Sequence, residues 1–236
     1  MHRRTVLAGA GLALASLAGC TGETSDTGHT ETPEETSTPA QTPTPTETPS
    51  PDPGIDPKEL DGFIRPDEDP QTVPEELVCD EEAFERRGGW IDEDELHWGN
   101  LTDENGSTIF ALRVDTLAVE RGETVTFTMT NVSAEEQETG NIYKSNFDVY
   151  TEAGWQDPRG WADGTPKPIT DDLQVWDPGN QVELTFEMTE EGIIEGDYSP
   201  HEDDLVTCPG LTAGRYRFGT AAPEQGGVAI AFDLID

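Results

Sequence analysis

The stretch TVTFTMT, Thr124 to Thr130, sets Val125, Phe127 and Met129 at every second position with threonines between them. A period of two sends alternate side chains to opposite faces of an extended chain, one apolar and one polar. The same alternation returns in QVELTFEM (Val182, Leu184, Phe186, Met188), NFDVY (Phe147, Val149), GRYRFGT (Tyr216, Phe218) and VAIAFDLI (Val228, Ile230, Phe232, Leu234). TIFALRVDTLAV alternates through Phe110, Leu112 and Val114, then slips near Asp115, as at a bulge or a broken edge strand. Turn signals separate these stretches: Arg121-Gly122, Asp163-Gly164, Asp177-Pro178-Gly179, Thr212-Ala213-Gly214 and Gly226-Gly227. Short half-buried strands at this spacing predict an all-β, antiparallel sandwich of about seven strands over residues 108–236.

Upstream the pattern changes twice. Residues 60–107 are irregular, with a short helix expected near Asp80 to Arg87, and are read as a lead-in packed on the sandwich. Residues 20–59 are Thr, Pro, Ser and Glu with almost no apolar side chains. Such a tract cannot bury enough surface to offset its conformational entropy, so a disordered stalk is expected. In polyproline II form, at about 3.1 Å per residue, it would reach on the order of 120 Å. Ser/Thr/Pro tracts also typify O-glycosylated stalks.

Residues 1–19 open with Arg3-Arg4 before an apolar run from Val6 to about Ala18, too short to span a bilayer comfortably. The arginine pair reads as a twin-arginine export signal. LAGC, Leu17 to Cys20, looks like a lipobox, which makes Cys20 the lipid-carrying residue at the mature N-terminus. Two acyl chains hold a protein stably at a membrane, where one is marginal. The expected location is the extracellular face of the cell membrane.

The formal net charge is −37 on 236 residues, and only nine of the 50 acidic residues precede Leu60. Like charges crowd a compact surface in dilute buffer, whereas at molar salt the Debye length falls to about 3 Å. With three lysines (Lys58, Lys144, Lys167), the composition resembles that of haloarchaeal proteins. No basic stripe exists to meet phosphates, so nucleic-acid binding is disfavoured. The acidic runs Asp67-Glu68-Asp69, Asp92-Glu93-Asp94-Glu95 and Glu202-Asp203-Asp204 lack the spacing and central glycine of a calcium loop, and read as solvated surface.

LTAGRYRF, Leu211 to Phe218, has a tyrosine just inside a late strand after a turn, where sandwich domains place a corner tyrosine. The fold expected is therefore immunoglobulin-like. Asn131-Val132-Ser133, Gly154-Trp155, Asp177-Pro178-Gly179 and Leu211 to Arg217 together resemble bacterial immunoglobulin-like domains over about Leu112 to Asp236. With TEAGWQDPRG and CPGLTAGRYRF, the whole chain resembles haloarchaeal surface lipoproteins. That resemblance implies export of an already folded cargo.

Cys208 is weighed as metal ligand, nucleophile or staple. A blue-copper site needs two histidines and usually an axial methionine, and neither residue type follows Cys208. A catalytic cysteine needs a base and a lowered pKa, but Glu202, Asp203 and Asp204 beside His201 would raise a thiol. With Cys20 lipidated, Cys79 and Cys208 remain to pair in an exported, oxidising setting. No catalytic residue, metal or cofactor is expected. Three sequons, at Asn100, Asn105 and Asn131, are candidate N-glycan acceptors.

Trp155, Arg159 and Trp161, in YTEAGWQDPRGWADG, form the candidate contact loop, since aromatics and arginine make hot spots; the alternative is that the tryptophans cap the core. The function expected is a non-enzymatic surface lipoprotein displaying its domain for envelope structure or protein interaction. The rival is a ligand-binding receptor lipoprotein of a transport system, favoured if those three residues ring a concave pocket.

Overall fold

Every alternating stretch forms a strand. The computed structural model describes residues 54–236 apart from 90, 92, 142–143, 171, 197–200 and 223–225. Among the described residues the strands are β1 (Glu85–Arg86), β2 (Leu96–Trp98), β3 (Asn100–Thr102), β4 (Thr108–Val114), β5 (Ala118–Glu120), β6 (Thr124–Asn131), β7 (Gln137–Thr139) and β8 (Asn146–Thr151). They continue as β9 (Gly154–Gln156), β10 (Arg159–Trp161), β11 (Gln174–Trp176), β12 (Gln181–Glu187), β13 (Leu205–Thr207), β14 (Gly214–Ala222) and β15 (Gly226–Ile235).

Two sheets face each other. One has the order β12-β6-β4-β3; the other runs β2-β15-β14-β8-β9, with β5 added beside β15. The slip at Asp115 is neither a bulge nor a broken edge. The chain leaves β4 in the first sheet and re-enters as β5, parallel to β15, in the second. With β14 between β8 and β15, and β6 between β4 and β12, the connectivity is that of an immunoglobulin-like sandwich. The sandwich also begins earlier than expected: β2 and β3 belong to its sheets although both precede residue 108. Near Asp80 to Arg87 there is no helix but a turn followed by β1, because this segment pairs with β10.

Phenylalanines from both sheets fill the space between them. The Phe127 ring stacks on Phe218 with centroids 4.4 Å apart, and Phe186 and Phe232 lie 5.4 and 5.7 Å away. Burial of each such side chain stabilises the fold by about 1.5–3 kcal/mol. At one end Trp176 on β11 meets the Phe110 ring edge-on at 5.7 Å, and its indole N–H donates to Thr139 on β7.

Tyr216 makes the corner expected of it. Its hydroxyl donates to the Thr212 carbonyl at 2.8 Å and accepts the Thr212 N–H at 3.2 Å, with the ring fully buried. Burial pushes its pKa up to about 12. The folded chain therefore keeps a proton that the unfolded chain releases near pH 10. Stability is complete below that pH and falls by about 1.4 kcal/mol per unit as pH rises towards 12. Urea midpoints between pH 9 and 11.5 should show this slope in the parent and not in Tyr216→Phe, which instead loses about 1 kcal/mol at neutral pH.

The outer faces of the two sheets differ. On β6 and β12 the outward positions are Thr126, Thr128, Glu183, Thr185 and Glu187, and they meet solvent as the alternation predicts. On β14 and β15 both faces are almost wholly buried. The covering layer is the lead-in, whose apolar side chains seat on glycines. A Cβ on Gly227 would lie 2.4 Å from Ile91, one on Gly160 2.4 Å from Phe84, and one on Gly99 2.5 Å from Ile64. Only glycine admits so close an approach.

Candidate aromatic and arginine interface

Across the outer face of the second sheet runs a strip of aromatic rings. Tyr150 and Trp155 are cross-strand partners on β8 and β9, with ring centroids 5.1 Å apart. Trp98, from β2 at the opposite edge of the sheet, reaches over the middle to within 6.2 Å of Trp155. Trp98 and Trp155 are half-buried, and Tyr150 is 38% exposed. The Arg65 guanidinium lies 5.3 Å from the Trp98 ring, at the exposed end of the strip.

The floor under the strip is ionic. Arg217, outward-facing on β14, stacks 4.5 Å from the Trp155 ring centroid. It donates to the buried Asp148 carboxylate from Nη2 at 2.7 Å and Nε at 3.1 Å, and reaches Glu93 at the surface. Burial, and then the neighbouring Asp157 charge, push the Asp148 carboxyl above its usual range against the pull of Arg217. Arg159 sits deeper and donates to both oxygens of Asp157, at 2.9 and 2.8 Å. Buried charge is tolerated when paired in this geometry.

The three residues expected to form a contact loop therefore do not share a surface. Trp155 belongs to the strip. Arg159 is wholly buried and Trp161 is 3% exposed, both drawn inside because β10 is the central strand of the small sheet β1-β10-β13. The surface position is corrected for Arg159, whereas the burial of Trp161 goes with the alternative reading of the tryptophans rather than with the contact loop. Tyr150, Trp98, Arg65 and Arg217 escaped the sequence reading; alternation offered a signal for Tyr150 and Arg217, which it places opposite the core-facing Val149 and Tyr216, and none for Trp98 or Arg65.

Cys79 and Cys208 are joined in a disulfide, with Cα atoms 5.3 Å apart. It ties the lead-in to the loop before β14, beside Arg86, which donates to the Leu77, Asp157 and Cys208 carbonyls. As a disulfide, Cys208 is no thiol nucleophile. Of the described histidines, His201 has its Nε2 3.0 Å from the Pro168 carbonyl and its ring 6.2 Å from Trp161. No group of three potential ligands among the described residues is placed to hold a metal ion.

The three sequons differ in access. Asn100 is half-buried in β3 with its Oδ1 accepting from Arg113, Asn105 is exposed in a hairpin loop, and Asn131 is fully buried in β6. Asn131 thus cannot accept a glycan in the folded chain, contrary to its candidacy. Its Nδ2 donates to the Glu135 and Trp176 carbonyls, so it closes the end of the core. Cys20, the signal and the expected stalk as far as residue 53 lie outside the described residues. Residues 54–59, also assigned to the disordered stalk, are instead ordered: the Ile55 N–H donates to the Val132 carbonyl at 2.8 Å, and Pro57–Glu59 form a short 3-10 helix capped by Asp56.

Fold and interface together define an all-β, disulfide-pinned sandwich with an aromatic outer strip. No family model and no curated protein matches the chain. Among solved structures, a β-glucosidase from Listeria innocua aligns at 15% identity and a TM-score of 0.27, over 55% of this chain and 16% of that one. Its glucose complex aligns at 16% identity and a TM-score of 0.26, covering 56% and 17%. The aligned part is about a sixth of those chains, and likeness at such scores carries no argument here.

Proposed function

We propose that this chain is a non-enzymatic lipoprotein, anchored through Cys20 at the outer face of the cell membrane, that displays an immunoglobulin-like domain for protein interaction in the envelope. The observation that carries this reading is the strip Trp98–Trp155–Tyr150 beside Arg65, lying over a sandwich whose interior is filled with side chains. Aromatic rings and arginine on a pre-organised sheet are the composition of binding hot spots. Ring positions fixed by cross-strand pairing and by Arg217 cost little entropy on association. Burial of Arg159 and Trp161 removes the one feature, a pocket ringed by them with Trp155, that would have favoured the receptor reading.

The test is site-specific cross-linking on intact cells at native salt. A photo-reactive side chain at Tyr150 should capture one defined envelope protein, and the same group at Glu183, on the solvent face of the other sheet, should not. Equal capture from the two positions, or none from Tyr150, refutes the reading.

A further inference from the structure

We propose that Asn105 is the N-glycan acceptor of this chain, and that the fold itself closes the sequons at Asn100 and Asn131. The inference rests on the export reading above, since it needs a transferase on the far side of the membrane. It also makes the three sites a record of when the chain folds.

The chemistry demands access. The amide Nδ2 bonds to the anomeric carbon of a lipid-linked glycosyl phosphate donor; the anomeric C–O bond breaks, the lipid phosphate leaves, and the amide gives up one proton. No electron changes hands. The acceptor nitrogen must therefore meet a bulky donor, with the hydroxyl residue two positions on equally reachable.

Asn105 meets this demand. Asn105, Gly106 and Ser107 are all exposed, in the hairpin between β3 and β4. Gly106 adopts φ +82°, and a Cβ placed on it would meet nothing within 4 Å, so the space above the turn is open. The turn is held by Asp103, whose Oδ1 accepts the N–H groups of Asn105 at 2.9 Å and Ser107 at 2.8 Å. The Asn105 side chain makes one marginal contact, from Nδ2 to Asp103 Oδ2 at 3.5 Å. Sugar can be added there without taking the hairpin apart.

Neither other sequon offers this. Leu101, the middle residue of the Asn100 tripeptide, is fully buried, and the Asn100 side chain holds Arg113. At Asn131 the buried amide has both hydrogens engaged, and its Oδ1 accepts from the half-buried Ser133 hydroxyl at 2.8 Å, so the acceptor nitrogen is already bonded inside the fold and its carbonyl is tied to its own hydroxyl residue. A chain that crosses the membrane folded presents Asn105. A chain that crosses unfolded presents all three.

Glycopeptide mass spectrometry on the full chain, isolated from the surface of its native cells, decides the matter when Cys20 lipidation is scored in the same sample. Expected are sugar at Asn105, none at Asn131 or Asn100, and loss of one glycan mass in both Asn105→Gln and Ser107→Ala, with unchanged melting. A lipidated surface chain bare at Asn105 overturns the proposal and leaves the export reading standing. Sugar on Asn131 or Asn100 overturns closure by the fold. A bare, unlipidated chain inside the cell removes the export reading and this inference together.

Discussion

Replacing Cys79 and Cys208 by alanine should destabilise the folded chain by up to about 5 kcal/mol, the largest loss expected from removing any one link. The bond spans 129 residues of sequence. In the chain-entropy account, a cross-link that long removes about 5 kcal/mol of disorder from the unfolded ensemble. The folded state gives little back when the bond is cut, because the lead-in stays seated through Ile64, Phe84 and Ile91 and through Arg86. The effect thus acts on the unfolded chain and has a second signature: without the link the unfolded state expands, and the urea m-value should rise. Urea titration at molar salt, an uncharged denaturant leaving screening intact, measures both. A loss under about 1 kcal/mol with an unchanged m-value would show that the unfolded chain is already held compact by other means.

The inner faces of the sandwich were legible because packing between sheets is written as a period of two. Val125, Phe127 and Met129 could go nowhere but inward once β6 formed, and the corner at Tyr216 followed from one turn and one phenolic hydroxyl. The start of the sandwich was not legible. β2 and β3 are three residues each, too short for a period to register, and they exist because β15 and β4 offer free edges in space. The switch at Asp115 looked like a flaw for a similar reason: the alternation breaks there and restarts at Val119 because the chain passes from one sheet to the other.

The site was harder to read than the fold, and the reason lies in β14 and β15. Their outward positions carry Arg217, Gly219, Gly227, Ala229 and Ala231, small or charged residues that alternation alone assigns to solvent. Gly219 and Gly227 are small because Ile91 packs on them, a long-range fact without local trace. In hindsight, two glycines and two alanines on one face of two adjacent strands were the signal that another layer lies on top. Arg159 misled for the opposite reason. An arginine between two tryptophans on a presumed loop looks like a hot spot, yet its partner Asp157 two residues earlier lets it be buried whole.

Arg217→Met should cost about 3–5 kcal/mol, because it leaves the Asp148 carboxylate buried without its cation. Side-chain exposures of 5% for Arg217 and 4% for Asp148 mean that water cannot substitute for the lost partner. The bond to Glu93, 59% exposed, contributes little to that figure. The stack on Trp155 adds a smaller share. The sign of the pH dependence follows from the direction of the Asp148 shift. Burial and Asp157 already hold its carboxyl above the usual range, and removing Arg217 takes away the largest force opposing them. A carboxyl raised in the folded state contributes stability that is complete below its unfolded pKa near 4 and is lost as pH rises through the folded value. The gap between parent and variant should therefore be smallest near pH 4 and widen towards pH 7. Adding Asp148→Leu to Arg217→Met removes the stranded charge and should recover most of the loss. Urea unfolding of the parent, both single variants and the pair closes the cycle. Additive losses, or a gap that narrows with rising pH, would mean that Arg217 acts through its stack on Trp155 rather than through charge.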